Sequence, residues 1–361
     1  MQIHRILLTS LIALNCALPA QARTPPSQFY RQTNFVSLKA GGRRDKQLIN
    51  PWGIAFTRGT FIWITDNNAG VSTLYNAHGR KQKLVVTIPT PANDTDPPAP
   101  TGIVVNPNAL KGTSSDFGGA LFVFSTENGT LATWKETDNA MATLAVDNSA
   151  KGAIYKGLAL AATNTGDRLY ATNFGKGVVE VYDTDFNQLT VAGGFADADI
   201  PSNFSPFGIQ NIDGNLFVTY AEPDGSGDEI NGTGNGFVDK FDTDGNLLQR
   251  FAAHGQLNSP WGVALAPTNF GPLSNLILVG NFGDGAINAY DANTGAFVNQ
   301  VKDRKGNVIA NPGLWALTFG DGKIGSTNEL FFTAGGADQS TGVFGALHLG
   351  TLMSGTGGGP Y

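Results

Sequence analysis

Seven carboxylates and amides follow short apolar segments along this chain, and their types bound its chemistry: Asp66 and Asn67, Glu127 and Asn128, Asn173, Glu222, and Asn281. Asn50, Asn258 and Asn311 stand just before a second recurring phrase of the type Pro-x-Gly-apolar. All of these are hard oxygen donors, which suit Ca²⁺ or Mg²⁺ far better than zinc. Gathered around one opening, they would hold such a cation or hydrogen-bond a protein, peptide or glycan. The same residue types also populate tight turns, because Asn and Asp bond their own backbone and tolerate left-handed φ. Turn chemistry therefore explains their repetition equally well.

A second concentration lies in AEPDGSGDEINGTGNG, residues Ala221 to Gly236, which gathers Glu222, Asp224, Asp228 and Glu229 among glycines. Irregular segments of this length inside compact units are functional or disordered. As a functional loop, its four acids are candidate metal ligands. For proton transfer the candidates are His254, Asp228 and Tyr220. His254 precedes a Pro-x-Gly phrase, and imidazole titrates near neutrality. His78 in NAHGR and His348 in the last apolar segment read as structural.

Three apparent motifs carry less. DTDGN at Asp242 begins like a calcium loop, but Ala253 stands where a bidentate Glu is needed. GDGKIG at Gly320 has the spacing of a dinucleotide turn but leads into a strand-like segment, without the helix N-terminus that binds pyrophosphate. Trp52, Trp261 and Trp315 open apolar segments and are expected to pack between structural units. The alternative is that one lines an opening and stacks on a sugar.

The elements that position these residues are legible as repeats. The opening phrases are NPWGIAF, APTGIVV, YKGLALA, SPFGIQNI, SPWGVALAP and NPGLWALTF. Each is followed by a partner segment: FIWITDNNAG, LFVFSTENGT, LYATNFGKG, LFVTYAEPDG, ILVGNFGDG or LFFTAGGAD. With Trp315 set against the glycine of the others, the period is 49–55 residues. Each unit holds four strand-length segments, and six such units around an axis make an all-β, six-bladed β-propeller of four-stranded antiparallel blades. The last unit lacks its fourth strand, while FYRQTNFVSL at Phe29–Leu38 has no place in the first. That N-terminal strand is expected to close the ring.

Glycine, at 47 of 361 residues, and a charged fraction of only 14% suit short strands and tight turns. Residues 1–22 read as a signal peptide, with an apolar run from Ile6 to Leu18 and a small-residue cleavage site at Ala20-Gln21-Ala22. The propeller is then expected over 23–350, with a flexible Gly-rich tail over 351–361. Cleavage would remove Cys16, the single cysteine, so no disulfide or thiol chemistry is expected. A net charge of −6 argues against nucleic acid, and no other apolar run is long enough for membrane insertion. A secreted or periplasmic monomer is the expectation.

The repeats resemble NHL-type repeats. More closely, LNSPWGVALAP, LILVGNFGDGAINAYD, GNGFVDKFDTDGNL and GLWALTFG are similar to a family of secreted bacterial propellers that carries no established activity. The resemblance implies the fold and little of the function. In such a ring the loop leading into each inner strand and the loop after each second strand open on one face. Asp66, Asn67, Glu127, Asn173, Asn258 and Asn281 would lie there. A binding module using this face, with a cation ordering its loops, is the first expectation. The alternative is a divalent-metal-dependent lyase or lactone hydrolase, with Glu222 or Glu127 and Asn173 and Asn281 at the metal.

Overall fold

The computed structural model describes residues 28–351, apart from 39–40, 58–59, 93 and 113–114. The expected signal peptide and Gly-rich tail lie outside the described residues.

The described strands form six four-stranded antiparallel sheets. Blade one is β2 (Pro51–Ala55), β3 (Ile62–Asp66), β4 (Val71–Tyr75) and β5 (Lys81–Thr87). Blade two is β6 (Pro100–Val105), β7 (Phe122–Thr126), β8 (Thr130–Trp134) and β9 (Thr143–Asp147). Blade three is β10 (Tyr155–Thr163), β11 (Gly166–Asn173), β12 (Val178–Tyr182) and the short β13 (Gln188–Leu189). Blade four is β14 (Ser205–Ile212), β15 (Asn215–Ala221), β16 (Phe237–Phe241) and β17 (Leu247–Ala253). Blade five is β18 (Pro260–Leu265), β19 (Leu276–Asn281), β20 (Ile287–Asp291) and β21 (Phe297–Gln300). Blade six is β22 (Leu314–Phe319), β23 (Leu330–Ala334), β24 (Val343–Thr351) and, outermost, the N-terminal β1 (Gln28–Ser37). The inner strand β22 packs on β2, so the ring closes as the unfinished last unit requires.

Pro-x-Gly acquires a physical reading here. In five blades residue x converges on the axis: Trp52, Lys156, Phe207, Trp261 and Trp315 contact one another across blades, while blade two carries Thr101 at this position. The next residue is glycine because the neighbouring inner strand lies against it. A Cβ on Gly53 would stand 2.7 Å from the Thr101 carbonyl, and one on Gly208 would meet the Trp261 carbonyl more closely still. Hydroxyls on the second strands complete the stitch. The Gly53 N–H donates to Thr65 Oγ1 at 2.8 Å, and that hydroxyl donates onward to the Thr101 carbonyl at 2.6 Å. The Thr172 hydroxyl likewise donates to the Phe207 carbonyl, and Thr333 to that of Trp52.

This geometry corrects the sequence alignment of the last unit by one residue. Ala316 takes the glycine's place, its N–H donating to Thr333 Oγ1 at 3.1 Å. Trp315 is thereby level with Trp52 and Trp261.

The loops leading into inner strands and those following second strands share a face, as expected. Asn67 N–H donates to the Asn50 carbonyl, Phe174 to Ile154, and Phe282 to Ser259.

Candidate functional site

At the axis this face is filled. Trp52 and Trp315 stack with centroids 3.5 Å apart and planes at 19°. Trp261 stands edge-on to both, and Phe174, Phe207 and Phe282 complete the plug. The three tryptophans therefore meet each other at the axis rather than dividing between blade interfaces. Two of their ring nitrogens help lock the assembly, with Trp315 Nε1 donating to Asn50 Oδ1 at 2.9 Å and Trp261 Nε1 to the Lys156 carbonyl at 3.0 Å.

One charge sits within this aromatic plug. The Lys156 side chain is 1% exposed, and its Nζ lies 2.5 Å from Glu127 Oε1, 3.6 Å from Asp228 Oδ1 and 4.0 Å from Glu229 Oε2. The ammonium also lies over the faces of Trp52, Phe174 and Phe207, at 5.2, 5.5 and 6.0 Å from the centroids. Burial alone would push the lysine pKa down. The carboxylates of Glu127 and Glu229 outweigh that, and the net direction is up, so Lys156 is charged. Burial pushes Glu229 up to about 7, against the attraction of Lys156.

Of the residues singled out in the sequence, Asn67, Glu127, Asp228 and Glu229 come together at this ammonium. Asn67 Nδ2 donates to Glu127 Oε2 at 2.8 Å, and Asn50 Nδ2 donates to Asn67 Oδ1 at 3.3 Å. The others turn to separate partners. Asp66 is buried and accepts the Thr73 hydroxyl at 2.6 Å. Asn173 donates to Glu180 at 2.8 Å and accepts the Ile154 N–H. Asn281 donates to the Gln256 carbonyl at 2.7 Å, and Asn258 accepts the Gly232 N–H at 2.8 Å. Glu222 accepts from Asn203 and Asn235 at the base of the acidic loop, and Asp224 accepts from Ser226 within a turn. His254 faces the Gly234 carbonyl at 3.0 Å on the exposed surface. Among the described residues, no three His, Cys, Asp or Glu side chains are grouped to hold a metal ion.

Beside the plug, a cavity of about 660 Å³ opens between blades three and four. The acidic loop serves both places. Pro223, Gly225, Ser226 and Gly227 form part of the cavity wall, and the following Asp228 and Glu229 reach Lys156. Phe174 is likewise shared, lining the cavity and underlying the ammonium.

At the opposite wall the proton-transfer candidate Tyr220 and Asp197 line the cavity, and they join Arg250 and Asp239, charges that the sequence did not suggest. Arg250 holds Asp197 through two nitrogens, Nε at 2.9 Å and an Nη as well. Asp239 is fully buried nearby, 3.9 Å from Arg250 Nε, and among the described residues neither of its oxygens has a hydrogen-bond partner. The Tyr220 hydroxyl, also buried, has none either. Burial, then the charge of Asp197, pushes Asp239 up to about 7. A carboxyl raised this way favours the fold when protonated, so its contribution is present below the unfolded value near 4 and is lost as pH rises towards 7. Asp239→Asn, which mimics the protonated acid, is expected to stabilise the protein by about 2 kcal/mol at pH 8. At pH 4 it should change little, and urea unfolding at the two pH values checks the sign.

Fold and site together define a six-bladed β-propeller with an aromatic-sealed axis and a lateral cavity beneath one long loop. No protein-family model matches the chain. An uncharacterized protein of Acanthamoeba polyphaga mimivirus is 33% identical over 316 residues, covering 84% of this chain and 76% of its own. A second from the same virus is 32% identical, covering 84% and 81%. The chain belongs to the family of these proteins, and these relatives are viral where the sequence resemblance pointed to bacterial ones. Among solved structures, a glucose dehydrogenase matches at 11% identity with TM-score 0.56, over 88% of this chain and 99% of that one. A streptogramin B lyase matches at 14% with TM-score 0.50, over 90% and 98%. A PQQ-bound aldose sugar dehydrogenase from Streptomyces coelicolor matches at 13% with TM-score 0.52, over 91% and 100%. At such identities the likeness establishes the propeller alone.

Proposed function

We propose that this protein is an exported binding module that takes a small ligand in the cavity between blades three and four. The observation that carries the reading is the cavity itself. At about 660 Å³ it lies within the usual range of small-molecule sites, roughly 300–1,000 Å³, and it sits on the loop-bearing face of a rigid ring. The axis beside it is closed by side chains, so recognition moves off the axis to this seam. Export is part of the proposal and rests on the reading of residues 1–22.

The test is a ligand-observed NMR screen of neutral, acidic and basic metabolites, repeated on Ser202→Trp. Ser202 lies exposed on the cavity wall, so an indole there should fill the opening without disturbing the core. Hits that vanish in Ser202→Trp, with an unchanged thermal midpoint, support the reading. Hits that persist in the filled variant would place binding elsewhere.

A further inference from the structure

Resting on that reading, we propose that the ligand is a neutral saccharide, its ring face against Phe204 and a hydroxyl on Ser205 Oγ. Ser205 opens the inner strand β14, pairs with Ala221, and is only 7% exposed. Its hydroxyl makes no hydrogen bond among the described residues, although the residue lines the cavity. The hydroxyl of a residue nine-tenths buried on a fixed strand, lining a cavity and without a partner among the described residues, is a recognition group awaiting one. Because it can both donate and accept, it matches a ligand hydroxyl, which does the same.

The rest of the wall fits the same chemistry. Phe174, Phe195 and Phe204 supply apolar surface, and the Phe204 ring is braced edge-on by Phe237 at 4.8 Å. A pyranose presents C–H faces to such rings and hydroxyls at its perimeter. The charges of the lining argue for neutrality. Asp197 is already matched by Arg250, and the exposed Lys176 at the rim is the one cation among the lining residues. A carboxylate or phosphate would lose water here without a buried cation to receive it, and an amine would find Asp197 occupied.

The experiment is calorimetric titration of the full-length protein with glucose, galactose, mannose, maltose and cellobiose. Glucuronate, glucosamine, adenosine and a neutral tripeptide run beside them, with Ser205→Ala and Phe204→Leu as variants. Ser205→Ala removes a hydroxyl that bonds nothing among the described residues, so the fold should be unaffected. Binding of at least one neutral sugar is expected, weakened about five- to tenfold by Ser205→Ala, as loss of one hydrogen bond predicts. Phe204→Leu should weaken it further, and the charged sugars should bind at least tenfold less tightly. If no saccharide binds, or if Ser205→Ala and Phe204→Leu both leave its affinity unchanged, the saccharide assignment fails. Preferred binding of adenosine, the tripeptide or a charged sugar, blocked by Ser202→Trp, would overturn the sugar and leave the cavity standing.

Discussion

Lys156→Met is expected to cost the fold about 3–5 kcal/mol at pH 8, the range for breaking a buried ion pair by removing one partner. Methionine fills the volume between Trp52, Phe174 and Phe207, so little of the loss would be a cavity effect. What disappears is the only cation within 4.0 Å of Glu127, Asp228 and Glu229 among the described ion pairs. The sign of the pH dependence separates charge from packing. Burial pushes the Glu229 carboxyl up to about 7 even with the ammonium present, and removing the ammonium moves it higher. A raised acid gives its contribution below the unfolded value and loses it as pH climbs, so the deficit of the variant should shrink at pH 5 and grow by pH 8. Urea unfolding across that range reads it directly. A deficit that stays constant with pH would mean that packing, not charge, is what Lys156 supplies.

The repeat carries a trace of Lys156. The column that reads Trp52, Phe207, Trp261 and Trp315 in four units and Thr101 in the second reads Lys156 in the phrase YKG, and an aligned charge among mostly aromatic residues is the available signal. With Trp315 set against glycine the column is broken, and nothing marks it as axial. The strand count, the closing N-terminal strand and the shared face of the loops were all legible, because strand periodicity and turn residues are local properties. The partners of the polar side chains were not. Asn173 and Asn281 sit at equivalent places and share nearly the same phrase, yet one donates to Glu180 and the other to the Gln256 carbonyl. That choice depends on which side chain the neighbouring strand or blade presents. The cavity was invisible for the same reason: Phe174 comes from blade three, Asp197 and Phe204 from the connection between blades three and four, and Tyr220 from blade four, and only the packing of the two blades brings them to one seam.

The second large effect concerns that closure. A chain beginning at Gly41, without β1, is expected to lose its folded monomer. Phe29, Tyr30 and Val36 are buried in the closing strand, and burial of three such side chains contributes roughly 5–9 kcal/mol. That is comparable with the whole stability of an ordinary domain, about 5–15 kcal/mol. The strand also ties two blades together: the Tyr30 hydroxyl donates to the Phe270 carbonyl at 2.7 Å, and the Tyr30 N–H donates to the Lys302 carbonyl at 2.9 Å. Without it β24 becomes an open edge of nine residues, ready to pair with another chain. Size-exclusion chromatography should therefore find aggregate where the full chain gives a single species. A synthetic peptide of residues 28–38, added during refolding, should restore the monomeric elution volume and the cooperative transition, because it supplies the missing strand in trans. Truncated protein that remains monomeric with an unchanged midpoint would assign closure to the inner-strand contacts of β22 with β2, and would reduce the N-terminal strand to a cover.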